Sequence, residues 1–311
     1  MMKPVLLVIV KLTEPYLARA RQTYEVIYEA DPARREQAIQ THGKDVQIVL
    51  TNGIAGLTAE EMQQMPRLEL VCTTGAGYER LDVDYAHAHG IAAANGAGTN
   101  AHCVADHAMA LLLATVRQVV YLDHACRRGV WRSDVALPAN VSEKKMGIIG
   151  LGTIGQLIAK RAVGFEIEVG YHNRHQRQNV PYSYFDNVLE MAQWADYLMV
   201  ATPGGAQTHH MVNAQVLEAL GPAGYVVNVG RGSVVDTQAL AQALKNKTIA
   251  GAGLDVYESE PSPPADLIGF DTLVITPHVG GWSPEAIANS EQRFLDNARL
   301  HFAGQPMISP I

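Results

Sequence analysis

Apolar positions fall into short runs separated by polar-amphipathic stretches from one end of the chain to the other. Over the first third these runs predict strands at residues 4–10, 25–28, 47–50, 68–72 and 91–94, with helices between them, for example at 31–40 and 58–65. Thr58 followed three positions later by Glu61 is a capping-box start for the second of these helices. The pattern changes at Asn95-Gly96-Ala97-Gly98. One long helix is expected next, over 100–125, with Val104, Met109, Leu111, Leu112 and Val116 available for burial, and then an irregular stretch at 131–142. A second series opens at Lys145, with strands expected at 146–149, 167–171, 197–201, 225–229, 249–256 and 273–276, and a last helix over 284–301. Alternation of this kind means βαβ units and parallel sheets buried on both faces, so the fold class is α/β.

Composition narrows this picture. A chain of 311 residues is longer than one core comfortably fills, so two domains are expected. A hydrophobic fraction of 48% belongs to a globular protein and excludes a disordered one. The net charge of -7 argues against nucleic acid or an anionic membrane as partner. The apolar run behind Lys3-Pro4 is short and closed by Lys11, which makes it a buried first strand rather than a signal sequence; no stretch reaches the length of a membrane span. Cys72, Cys103 and Cys126 are too few and too scattered for a disulfide framework, and a cytosolic location is expected. The histidine pairs His87/His89, His102/His107 and His209/His210 lack the spacing of a zinc site, so no metal is expected and they are assigned to surface or packing.

The first chemistry appears at Gly150-Leu151-Gly152-Thr153-Ile154-Gly155, which lies between a short apolar strand and a helix. In that context Gly150 permits a tight turn, Gly152 lets the backbone approach a pyrophosphate, and Gly155 lets helix and strand pack closely. Thr153 and Ile154 open the helix, whose free amides and dipole favour phosphate. A dinucleotide site is the result. The next strand ends in Tyr171-His172-Asn173-Arg174-His175, without the carboxylate that would accept from a ribose 2′-hydroxyl. Asn173 and Arg174 instead suit a 2′-phosphate, so NADP is the expected cofactor, with NAD possible.

Further strand ends carry Thr202-Pro203-Gly204-Gly205, Gly230-Arg231-Gly232, Asp255 with Glu260-Pro261 after it, and Thr276-Pro277-His278. Ligands of a parallel α/β sheet bind outside the carboxyl ends of its strands, so these residues gather beside the dinucleotide. A histidine paired with a carboxylate holds a proton near neutral pH, and an arginine fork suits a 2-keto carboxylate. His278 is thus expected to be the acid in carbonyl reduction, Glu260 its orienter and Arg231 the substrate clamp.

These motifs, together with Asn228 to Asp236, Gly253 to Pro261 and Pro277-His278-Val279-Gly280-Gly281, resemble the D-isomer-specific 2-hydroxyacid dehydrogenase family over nearly the whole chain. The resemblance implies the same Arg–Glu–His roles, a contact of Asp255 with the nicotinamide carboxamide, and binding of the substrate carboxylate by the backbone amides of Ala76 and Gly77 in Thr74-Gly75-Ala76-Gly77. It also implies a homodimer and two parallel-sheet domains: a flavodoxin-like substrate domain (1–97 with 286–311) and a Rossmann domain (98–285). The missing carboxylate after the second Rossmann strand resembles the glyoxylate/hydroxypyruvate reductase branch, which implies NADP(H)-dependent reduction of a small 2-keto acid to the D-2-hydroxy acid. Alternatives are a dinucleotide-sensing binding protein with little turnover and a phosphoglycerate dehydrogenase-like enzyme; Glu260 argues against a formate dehydrogenase relative, where glutamine is typical. One departure is Asp106, where the family usually has glutamate, and Trp282 is open to a role either in lining the pocket or in packing.

Overall fold

The computed structural model describes residues 3–311; Met1 and Met2, which open the expected first domain, lie outside them. The chain divides into two compact units, one made of residues up to Asn100 with Trp282–Ile311, the other of Ala101–Gly281. The family resemblance implies corresponding bounds of 1–97 with 286–311 and 98–285.

The first unit runs β1 (Val5–Val8), α1 (Glu14–Thr23), β2 (Glu25–Tyr28), α2 (Arg35–His42), β3 (Val46–Thr51), α3 (Ala59–Gln63), β4 (Leu70–Thr73), α4 (Val83–Ala88) and β5 (Ala92–Ala94). Its sheet has the order β2-β1-β3-β4-β5 with every pair parallel, the strand order of flavodoxin-like folds. Helix α3 begins where the capping box predicts. The Thr58 hydroxyl accepts from the Glu61 N–H at 3.3 Å, and the Glu61 carboxylate accepts from the Thr58 N–H at 2.9 Å.

The second unit runs α5 (Ala101–Val116), α6 (Val119–Arg127), β6 (Lys145–Ile149), α7 (Thr153–Val163), β7 (Glu168–His172), β8 (Ser183–Tyr184), α8 (Val188–Trp194), β9 (Tyr197–Val200), α9 (Ala214–Leu220), β10 (Tyr225–Asn228), α10 (Thr237–Lys245), β11 (Gly251–Leu254) and β12 (Leu273–Ile275). The sheet order β12-β11-β10-β9-β6-β7-β8 is wholly parallel and reverses direction between β6 and β9. That is the Rossmann arrangement, with its ligand crevice at the reversal. Alternate strand residues serve two cores. Met146 and Ile148 pack with Leu112, Val116 and Ile158 on one face, while Ile149, Leu198 and Val200 pack with Met191, Leu217 and Leu240 on the other.

The expected single helix over 100–125 is two helices bent by 56°. Gln118 takes a left-handed conformation (φ = 53°), which ends the run of αR residues; no glycine or proline marks the break. No single helix among the described residues is long and apolar enough to cross a membrane. The chain closes with α11 (Pro284–Phe302), which belongs to the first unit. There Phe294 and Ala298 pack among Tyr16, Tyr24 and Leu50, and Ser290 hydrogen-bonds the Thr74 carbonyl behind β4.

Candidate active site

The carboxyl ends of the central strands of the second unit stand level. Ile149 pairs with His172 and Val200, Asn228 with Val200 and Leu254, and Leu254 with Ile275. Each residue that follows therefore emerges along one rim, and this register brings Gly150, Asn173, Thr202, Arg231, Asp255 and His278 to one edge of the sheet.

At the reversal point Gly150 has φ = 98°, and a Cβ there would lie 2.9 Å from the Thr202 backbone, so the turn tolerates only glycine. Gly155 is held by contact rather than conformation, since its Cβ would meet the Gly150 carbonyl oxygen at 2.1 Å. Gly152, the residue that caps α7, faces open space within 4 Å, and no side chain caps this helix. The first-turn amides, including those of Thr153 and Ile154, are thus left for an anion beside an uncrowded backbone. This cradle fits a dinucleotide pyrophosphate. Asn173 braces it, its side-chain oxygen accepting from the Leu151 N–H at 2.8 Å. The exposed Arg174 donates to Gln207 at 3.3 Å. Pro203 carries its carbonyl against the Thr208 hydroxyl at 2.8 Å, closing the turn after β9.

Arg231 follows β10 and donates to the Gly230 carbonyl at 2.8 Å. His278 follows β12 with φ = 54°, a strained conformation for a side chain of this size. Its surroundings hold it there. The His278 N–H donates to the Asp255 carbonyl at 2.9 Å, while the Asp255 carboxylate accepts from the N–H groups of Val279 (2.9 Å) and Gly280 (2.8 Å) and from the Thr276 hydroxyl (2.6 Å). Asp255 is only 2% exposed, and nearly all its lone pairs are occupied by this loop. Because the Thr276 hydroxyl donates to Asp255, its oxygen accepts from His107 Nε2 at 2.9 Å; the same nitrogen lies 3.3 Å from Asp255 Oδ1. His107, assigned on sequence to surface or packing, is therefore part of the support behind His278. It was illegible because the contact spans 169 positions.

His278 Nδ1 hydrogen-bonds Glu260 Oε2 at 2.7 Å, and the other carboxylate oxygen of Glu260 accepts from the Tyr257 N–H at 2.9 Å. With Nδ1–H given to Glu260, Nε2 is the nitrogen that carries an exchangeable proton. The Glu260 bond is the largest influence on His278 and raises its pKa above the ordinary histidine value; burial opposes this, and the charges of Glu260 and Asp255 add to the rise while Arg231 lowers it. For Glu260, burial is the largest influence and pushes upward, but the bonds from His278 and Tyr257 and the positive neighbours outweigh it and hold the carboxyl below its usual range. Both shifts favour the imidazolium–carboxylate form of the pair.

In the first unit, residues 74–77 follow β4. Their carbonyls are tied back: Gly75 accepts from the Gly96 N–H (2.8 Å) and the Thr73 hydroxyl (3.0 Å), and Ala76 accepts from the Asn95 amide at 2.9 Å. The N–H groups of Ala76 and Gly77 donate to no acceptor among the described residues. Such a loop offers amides to an anion. Trp282 is 74% exposed, which leaves it no part in core packing. Asp106 pairs with Arg161 of α7 at 2.6 Å, so the shorter acid still bridges α5 to α7.

Parallel sheet, glycine turn and the histidine–carboxylate pair define a dinucleotide-dependent oxidoreductase. Residues 109–280 match the family described as D-isomer specific 2-hydroxyacid dehydrogenase, NAD binding domain. The chain is 36% identical over 285 residues to hydroxyphenylpyruvate reductase of Plectranthus scutellarioides, covering 91% of each chain. It is 36% identical over 274 residues to glyoxylate/hydroxypyruvate reductase A of Arabidopsis thaliana, covering 88% of each. Its fold superposes with a TM-score of 0.89 on the NADPH-dependent glyoxylate/hydroxypyruvate reductase of Sinorhizobium meliloti, solved with NADP and malonate, at 36% identity and over 99% of this chain and 97% of that one. The chain belongs to the D-isomer specific 2-hydroxyacid dehydrogenase family and is an oxidoreductase of 2-hydroxy acids.

Proposed function

We propose that the protein reduces a small 2-keto acid, glyoxylate or hydroxypyruvate, to the D-2-hydroxy acid at the expense of NADPH. The observation that carries this reading is the His278–Glu260 pair at 2.7 Å on the same sheet rim as Arg231 and the glycine turn. A reduced dinucleotide, with its pyrophosphate on that turn, would supply the hydride. Arg231 binds the keto acid through its guanidinium fork, and the amides of Ala76 and Gly77 hold the carboxylate. His278 gives its Nε2 proton to the carbonyl oxygen as that oxygen gains charge, and Glu260 keeps the imidazole charged until then. Asp255, in this reading, contacts the nicotinamide carboxamide. Asn173 and Arg174, with no carboxylate beside them in the segment, support a preference for a 2′-phosphate, as does the NADP found with the Sinorhizobium meliloti relative.

His278→Ala tests the reading. Reduction should fall by roughly two to four orders of magnitude, the usual contribution of a positioned acid, while NADPH binding followed by its fluorescence stays near wild type. Wild-type turnover in that variant would reject the acid assignment. We further propose a homodimer whose contact surface includes residues 119–137, where Val119, Val120, Trp131 and Leu137 expose large apolar side chains. A monomer by light scattering would reject it. Cytosolic residence is consistent with three free thiols at Cys72, Cys103 and Cys126.

A further inference from the structure

His210 sits in the segment after β9 with a left-handed backbone (φ = 49°), and its surroundings bind it on every side. Its N–H donates to the Ser233 carbonyl at 2.8 Å, and two residues on, Val212 bridges Val235; this stitches it to the segment that carries Arg231. Its ring reaches the other way. Nε2 hydrogen-bonds Glu258 Oε1 at 2.8 Å, and Nδ1 lies 3.6 Å from Asp236 Oδ2, a carboxylate whose other oxygen caps α10 through the Ala239 N–H at 3.0 Å. The His209 ring stacks on the outer face, centroids 3.9 Å apart.

Glu258 is fixed in turn. Its second oxygen accepts from the Thr237 N–H at 3.0 Å. Burial is the largest influence on its carboxyl and pushes upward, but the Thr237 and His210 bonds outweigh it and keep the group ionised. The backbones of the two segments touch here, for a Cβ on Gly232 would lie 2.1 Å from the Tyr257 carbonyl carbon and 2.6 Å from the Glu258 nitrogen. One residue before Glu258, the Tyr257 N–H holds Glu260 Oε1, and Glu260 Oε2 holds His278. An unbroken chain of contacts therefore runs from the Arg231 segment through His210 and Glu258 to the Glu260 carboxylate.

We infer that His210 is a positioning residue: through Glu258 it locks the segment bearing Glu260 against the segment bearing Arg231, and so fixes where Glu260 meets His278. The inference rests on the reading of Glu260 as the partner of His278. Misplacing a reacting group by an ångström costs roughly a hundredfold in rate; the clamp is one step removed, so His210→Ala should lower kcat with NADPH and glyoxylate about tenfold and leave the KM for NADPH unchanged. The ring of His278 faces Glu260, Asp255 and Arg231, with His107 behind Asp255; of these, Glu260 lies on the segment that the His210 ring holds through Glu258.

The deciding measurement is the titration of the His278 ring by NMR, which needs no turnover, alongside the kcat. Its midpoint should fall in His210→Ala and in the isosteric Glu258→Gln. It should return toward wild type in His210→Gln, whose amide offers Glu258 a donor at the position of Nε2. Unchanged midpoint and kcat in folded His210→Ala overturn the inference; if that variant does not fold, an unchanged midpoint in Glu258→Gln does so alone. A fall in thermal stability with no movement of the midpoint also overturns it, because a merely structural contact behaves that way. Glu260→Gln separates the two levels. If it leaves the His278 midpoint in place, the pairing of Glu260 with His278 fails and the clamp with it; if it lowers the midpoint while the His210 and Glu258 variants do not, the clamp alone fails.

Discussion

Replacing Glu260 by glutamine removes a charge and almost nothing else. The amide oxygen can still accept from the Tyr257 N–H, and the volume is unchanged. What is lost is a charge-assisted bond to His278 Nδ1 at 2.7 Å. Bonds of this kind contribute about 1.5–3 kcal/mol. The imidazole is 43% exposed and the carboxylate 28%, so water screens the pair and the lower part of that range applies. A loss of about 1.5–2 kcal/mol corresponds to a fall of roughly 10–30-fold in kcat/KM for reduction. The pH dependence carries the sharper signature. In the proposed reduction His278 must be protonated, so activity should persist at low pH and be lost as pH rises through the raised His278 pKa. Without the Glu260 charge that alkaline limb moves to lower pH, and in the oxidative direction the acid limb moves the same way. Initial rates of NADPH loss with glyoxylate across the neutral and alkaline range read both effects. An unchanged rate and an unmoved limb in Glu260→Gln would refute the pairing as the source of the proton.

Other expectations follow from the same geometry. Arg174→Ala should raise the KM for NADPH roughly tenfold, the effect of one charge-assisted phosphate contact, and leave that for NADH unchanged; steady-state kinetics with both cofactors decide, and equal effects would remove the 2′-phosphate reading. Thr58→Ala deletes the capping box of α3 and should cost about 1 kcal/mol; calorimetry should show the first unit melting a few degrees lower, and an unchanged transition would mean the cap adds nothing. His278→Ala should still show full NADPH fluorescence enhancement, while Gly155→Ala, whose Cβ would meet the Gly150 carbonyl oxygen at 2.1 Å, should abolish it; retained NADPH binding in Gly155→Ala would contradict the cradle.

Local signals in the sequence carried most of the fold. The apolar runs of β6 and β10 lie within a residue of their expected bounds, because a strand buried on both faces admits few polar residues. The capping box at Thr58 and the glycine turn at Gly150 were legible because each completes its chemistry within six positions. The break at Gln118 was not, since nothing local forbids helix at Arg117-Gln118. The two-residue edge strand Ser183–Tyr184 offers too short a pattern to detect. At the site, the polar strand ends gave Arg231, Glu260 and His278 as candidates, but not what holds them. His107 reaches Asp255 across 148 positions, and His210 reaches Glu258 across 48. Such partners are fixed by the packing of the sheet and its helices, and a histidine in sequence looks the same whether it braces a loop or faces water.

The central claim is that this rim reduces small 2-keto acids with NADPH. It is tested most directly by following NADPH and NADH consumption with glyoxylate, hydroxypyruvate, pyruvate and phenylpyruvate. Fast turnover with NADPH and the two smallest polar acids, weaker with NADH, is the expected result. Tight dinucleotide binding without turnover of any of the four would contradict it.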